Sequence, residues 1–216
     1  MRVSKFSGIG CVFLVVGLVA AGCSNSSPTP SGSKPPAANI PTSLSPKSFN
    51  NNFTAMAQLK SLAAAGKGKV AAIMPDTTSS TRYVEFDQPD ITKALTAAGL
   101  SSSQFVVQNA LGSDATQLTD AQTDITNGAD VLLVDPIDSG VGASIESYAK
   151  AHGVAVVDYD RLTLNGSRSY YVSFDNVLVG KTIGQGLVSC VAAWKVAKPQ
   201  VVVMHGAVTD NNATLF

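Results

Sequence analysis

Apolar and polar positions change in blocks along this chain, not residue by residue. Four short stretches are almost continuously apolar: "KVAAIM" (69–74), "QFVVQNA" (104–110), "DVLLVDP" (130–136) and "VAVVDYD" (154–160). A strand covered by helices on both faces has this look, whereas a half-solvated strand would alternate. Between them lie "ITKALTAAG" (91–99), "DATQLTDAQTDITNG" (114–128) and "GASIESYAKAHG" (142–153), each closed by Gly. Their apolar residues recur at helical spacing, and Gly is the usual residue just past a helix end. Alternating strands and helices predict a parallel, doubly wound α/β sheet. "SYYVSFD" (169–175) predicts a further strand, 176–195 a long helix, "QVVVMH" (200–205) another strand, and "ATLF" the start of a helix. In the long helix Val179, Ile183, Leu187, Cys190 and Trp194 form one apolar stripe, which places Cys190 in a core.

The first 52 residues follow neither pattern. Arg2 and Lys5 precede an apolar run from Ile9 to Ala21, and "VAAGC" ends it. That is the layout of a secretory signal, and the run is short of the ~20 apolar residues a membrane span needs. Plain signal peptide and uncleaved anchor helix are the alternatives. "VAAGC" is similar to the lipobox of bacterial lipoproteins, which implies cleavage before Cys23 and a lipid on its thiol. Residues 1–22 are then a lipoprotein signal peptide. Residues 23–52, rich in Ser, Pro and Asn, read as a tether, since so few large apolar residues cannot offset the entropy of ordering. A short helix follows in "FTAMAQLKSLAAAGKGK", ended by Gly66 and Gly68. With Cys11 lost in the signal and Cys23 lipidated, Cys190 stands alone and no internal disulfide is expected.

Charge removes some functions and leaves others open. Lys+Arg and Asp+Glu number 15 each, so no net field would hold nucleic acid. His152 and His205 sit in no HExxH motif, no GxSxG nucleophile turn occurs, and "GKGK" precedes its strand and is no phosphate loop. No metal, cofactor or enzyme reaction is announced. What the sequence does supply is polar groups after the strands, where open parallel sheets bind ligands. They are Asp76, Arg82 and Tyr83, then Gln108 and Asn109, then Asp135, then Asp160 and Arg161, and finally Asp210, Asn211 and Asn212. Carboxylates accept, guanidiniums donate and amides do both, which matches the hydroxyls of a sugar. An aromatic ring suits its C–H face. Each single Asp is equally a turn or helix-cap residue, and Asp114 and Asp175, each just before a helix, are expected to be caps.

Two stretches carry a resemblance. "VVDYDRLTLNGSRSYYVSFDNVLVG" and the closing "DNNATLF" resemble the type I periplasmic sugar-binding proteins, most closely the xylose-binding group. Tyr159-Asp160-Arg161, Tyr171-Val172-Ser173-Phe174-Asp175-Asn176 and Asp210-Asn211-Asn212-Ala213 match that group's motifs, and Arg82-Tyr83 stands where it has Arg-Trp. The resemblance implies two Rossmann-like lobes with a monosaccharide, favouring a xylose-like pentose, held between them. Residues 53–175 would be the first lobe and 176–216 only the start of a truncated second one. It implies Asp76, Arg82, Asp160, Arg161, Asp210 and Asn212 as ligand-bonding residues and Tyr83 as the stacking ring. "TTSST" stands in place of most of the group's acidic residues after the first strand, leaving Asp76. The implied protein is a monomer, lipid-anchored on the extracytoplasmic face of the cell membrane, which delivers sugar to the permease of an ABC transporter. The alternative is a sugar-sensing lipoprotein that presents ligand to a membrane receptor or kinase.

Overall fold

A computed structural model of the protein describes residues 41–216. Cys11, Cys23 and the expected signal lie outside the described residues, as does the part of the expected tether before residue 41. The sheet has five parallel strands: β1 (Lys69–Met74), β2 (Phe105–Asn109), β3 (Ala129–Val134), β4 (Ala155–Tyr159) and β5 (Tyr170–Val172). Their spatial order is β2-β1-β3-β4-β5. Val70 pairs with Phe105 on one side and Val131 on the other, so the winding reverses between β1 and β3. A reversal of this kind leaves a crevice beyond the strands' carboxyl ends. Helices α1 (Lys60–Ala65), α2 (Gln88–Ala97), α3 (Asp114–Thr126) and α4 (Ser139–Ala151) complete this part.

β1 shows why its sequence is apolar throughout. Ala71, Ala72, Ile73 and Met74 are all fully buried. Ala71 and Ile73 pack with Ala121 of α3 and Ile145 and Ala149 of α4, while Ala72 and Met74 meet Tyr83 and Ile91 on the other face. Both faces are therefore covered, and the expected doubly wound sheet is present. The α3 cap differs from expectation. Ser113 accepts from the Thr116 N–H as N-cap, and Asp114 stands one position inside, where a carboxylate still favours the helix N-terminus.

Past β5 the pattern of packing changes. Asp175 caps α5 (Asn176–Trp194) as expected, accepting from the Leu178 N–H. The stripe on α5 faces no sheet, however: Ile183 is 63% exposed and Trp194 70%. Cys190 is exposed too, which corrects its expected place in a core. The periodicity is real, but the layer it should cover is not among the described residues. The strand expected at 200–205 does not form either. Val202 and Met204 are 87% and 90% exposed, and the segment runs extended without a sheet partner. The chain ends in α6 (Asn211–Leu215).

Candidate functional site

Three sheet ends and α6 bring one charged cluster together. Between β1 and α2 the backbone makes a single wide π-type turn over Tyr83–Asp87, and α2 begins at Gln88, earlier than the apolar spacing suggests. Such wide turns occur often at functional sites. Here the turn returns Asp87 to Arg82, whose Nε donates to Asp87 Oδ2 at 2.9 Å. Tyr159 of β4 donates its hydroxyl to Asp87 Oδ1 at 3.1 Å. Arg82 Nη2 donates to Asp160 Oδ2 at 2.6 Å, so the guanidinium bridges two carboxylates. Burial works against its charge, yet Asp160 and Asp87 outweigh that and hold its pKa above the usual arginine value.

Asp160 is the hub. It adopts φ 64°, a left-handed conformation that Asp tolerates better than most residues and that recurs at functional sites. Its N–H donates to Val172 O at 2.9 Å, and its carbonyl accepts from the Tyr171 hydroxyl and from Asn212 Nδ2, both at 3.1 Å. Its neighbour Arg161 turns elsewhere. Arg161 Nε lies 3.2 Å from Asp210 Oδ2 and 3.6 Å from Asp135 Oδ1, and Nη1 donates to the carbonyl of Pro136 at 3.3 Å. The adjacent Asp160 and Arg161 thus do not pair with each other. Their partners are Arg82 for one and Asp135 with Asp210 for the other.

Asp135 lies beneath both guanidiniums at 0% exposure, and neither of its oxygens has a hydrogen-bond partner. Burial, reinforced by the Asp160 charge, holds its carboxyl well above the usual carboxylate range despite Arg161 and Arg82. Asn212 Oδ1 is likewise buried and unpartnered. Sequence reasoning sees Asp135 at a strand end but gives it no role. It misses Asp87 altogether, because a five-residue separation belongs to no regular helix face; an acidic residue soon after an Arg at a strand end is the only signal.

Two expected residues have other duties in the structure. Asp76 accepts from the Thr78 and Ser79 N–H groups and from the Ser79 hydroxyl, as a turn residue does. Those Ser79 and Thr78 bonds outweigh its burial and lower its pKa. Tyr83 is only 3% exposed, and the guanidiniums of Arg82 and Arg161 lie 5.0 and 5.6 Å from its ring centre. Its ring is a cation–π platform for the two arginines. Gln108 and Asn109 are engaged within the fold, with Asp124 and with the Asp76 carbonyl. Arg82, Asp160, Arg161, Asp210 and Asn212 do converge. Asp210 has a double task, its Oδ1 capping α6 through the Asn212 N–H and its Oδ2 facing Arg161. An apolar groove of about 450 Å³ along α5, lined by Leu187, Val191, Val196 and Val201, lacks such orienting groups.

Known proteins give this geometry a setting. The D-xylose-binding periplasmic protein of Haemophilus influenzae is 37% identical over 112 residues, covering 51% of this chain and 32% of that protein. The multiple sugar-binding periplasmic receptor ChvE of Rhizobium radiobacter is 32% identical over 155 residues, covering 71% of this chain and 42% of that one. Among solved structures, an ABC transporter solute binding protein from Clostridium phytofermentans with bound β-D-glucose superposes with a TM-score of 0.60 at 29% identity, over 68% of this chain and 44% of that one. The chain spans less than half the length of each. Residues 70–216 match the periplasmic binding protein domain. By that match, and by its parallel sheet with a polar cluster at the strand ends, the chain belongs to the periplasmic binding protein family.

Proposed function

We propose that this chain forms one wall of a monosaccharide-binding cleft and the beginning of the other, with Arg82, Asp160, Arg161, Asp210 and Asn212 bonding the sugar. The observation that carries this reading is their convergence, from three separate segments, at the carboxyl edge of the sheet. Asp135 and Asn212 leave three buried acceptor atoms without donors, which suits a ligand rich in hydroxyl groups. The chemistry is binding, not catalysis. The relatives named above favour a pentose or a similar neutral sugar, and delivery to an ABC permease on the extracytoplasmic face. Residues 176–216 are then the opening part of the opposite wall. Transport and sensing differ only in the partner that receives the loaded protein.

The test is thermal unfolding with ligand, because a sugar that binds only the folded state raises Tm. It is run on the chain alone and on the chain joined at Phe216 to the remaining length of a xylose-binding relative. The joined protein should gain stability with xylose or another monosaccharide. No shift in either form across pentoses, hexoses and polyols would refute the sugar reading. The anchor is tested separately. Cys23→Ala should abolish palmitate labelling, and unchanged labelling would remove the lipobox.

A further inference from the structure

Asp87 belongs to the charged cluster, but the sugar contacts above give it no part. It is buried at the end of the wide turn Tyr83–Asp87, just before α2. Each of its oxygens takes one donor. Oδ2 accepts from Arg82 Nε at 2.9 Å, and Oδ1 accepts from the Tyr159 hydroxyl at 3.1 Å. The second bond ties Asp87 to the last residue of β4. The next residue along is Asp160, the other carboxylate on Arg82, which accepts from Nη2 at 2.6 Å. The two anchors of this guanidinium are thus fixed to each other through the end of β4.

A guanidinium is a planar fork of N–H donors. With Asp160 alone, the plane could turn about the Nη2 contact. A second carboxylate at Nε stops that turning and settles which arm is left over. The remaining arm is Nη1, which makes no hydrogen bond among the described residues. The Arg82 side chain is 35% exposed while both carboxyls are buried, so the arm turned from them is turned toward solvent. We propose that Asp87 is a positioning residue, which holds Arg82 so that Nη1 faces the cleft as the donor to ligand. A donor locked from behind in this way needs little ordering when ligand arrives. What Nη1 meets rests on the sugar reading above, whereas the hold on Arg82 does not. Asp87 also fastens Tyr159, and that duty is separable. Asp87→Ala removes both acceptors, and Tyr159→Phe removes only the hydroxyl.

The hold is read first in the full chain without ligand, by nuclear magnetic resonance of the arginine side chains. The Arg82 Nε–H should exchange slowly with water, and Asp87→Ala should speed that exchange at least about tenfold. Fast exchange in wild type, or no change in the variant, would overturn the proposal. The consequence is read by calorimetry on the joined protein, with xylose or the screened monosaccharide that raises Tm most. Asp87→Ala should weaken binding about tenfold, and Tyr159→Phe should stay within about threefold of wild type. Unchanged affinity in Asp87→Ala, or equal losses in the two variants, would leave Asp87 a turn residue only and sink the proposal. If wild type binds none of the sugars while its Nε–H stays slow, the sugar reading falls and the hold on Arg82 stands. Should Asp87→Ala fail to fold, wild type decides: sugar should move the Nη1 resonance and leave Nε in place, and the reverse would overturn the assignment.

Discussion

α4 and α5 are both apolar-striped helices capped by an Asp, and they end in opposite situations. Asp138 caps α4 and Asp175 caps α5 through the same bond to an N–H three residues on. In α4, Val141, Gly142, Ile145, Glu146 and Ala149 are buried against β3 and β4. In α5 only Asn176 is buried. The apolar runs differ in the same way. Ile73 and Leu132 are at 0% exposure, while Val202 and Val203 are at 87% and 70%. Caps and periodicity suffice to set a helix, but burial needs a second layer. Residues 176–216 meet the lobe through polar bonds, Asn212 to Asp160 and Arg161 to Asp210, and through Phe216 stacked on Phe174. The candidate site is thus also the joint between the two regions.

The largest expected effect lies in the lobe's core. Leu132→Ala should cost about 2–5 kcal/mol in urea unfolding, because a cavity opens beside packed neighbours. Val202→Ala and Met204→Ala should stay within about 0.5 kcal/mol, the usual range for surface changes. Equal losses in the two regions would show that 201–204 is buried in solution. At the joint the effect is smaller. Arg161→Ala leaves Asp135 buried with one cation fewer and should cost about 3 kcal/mol. Asp210→Ala removes only the outer contact and the α6 cap, and should release α6 while the lobe loses less than about 1 kcal/mol. If Asp210→Ala unfolded the lobe as readily as Arg161→Ala, the two regions would form one cooperative unit. The caps give the smallest difference. Ser113→Ala should lower lobe stability by about 1 kcal/mol, whereas Asp175→Ala should reduce helical circular dichroism and leave the lobe's midpoint in place.

The sequence alone determined the lobe's order of elements, because continuous apolar runs, helical spacing and closing glycines are local signals. It also located most of the candidate site, since the strand ends of a parallel sheet converge whatever the loops contain. Arg82, Asp160 and Arg161 were legible on that ground, whereas Asp210 and Asn212 follow a run that forms no strand and were marked by the closing motif. Pairing was not. Asp160 and Arg161 are neighbours in sequence, but the left-handed turn at Asp160 sends them to different partners. Asp87 reaches Arg82 only through a wide turn that no regular period announces. That Tyr83 is buried beside two guanidiniums was not legible either, because both arginines reach it from different loops. Cys190 and the run at 201–204 carry a core's pattern without a core, because hydrophobicity along a chain states what can be buried. Only tertiary structure decides whether a surface is present to bury it.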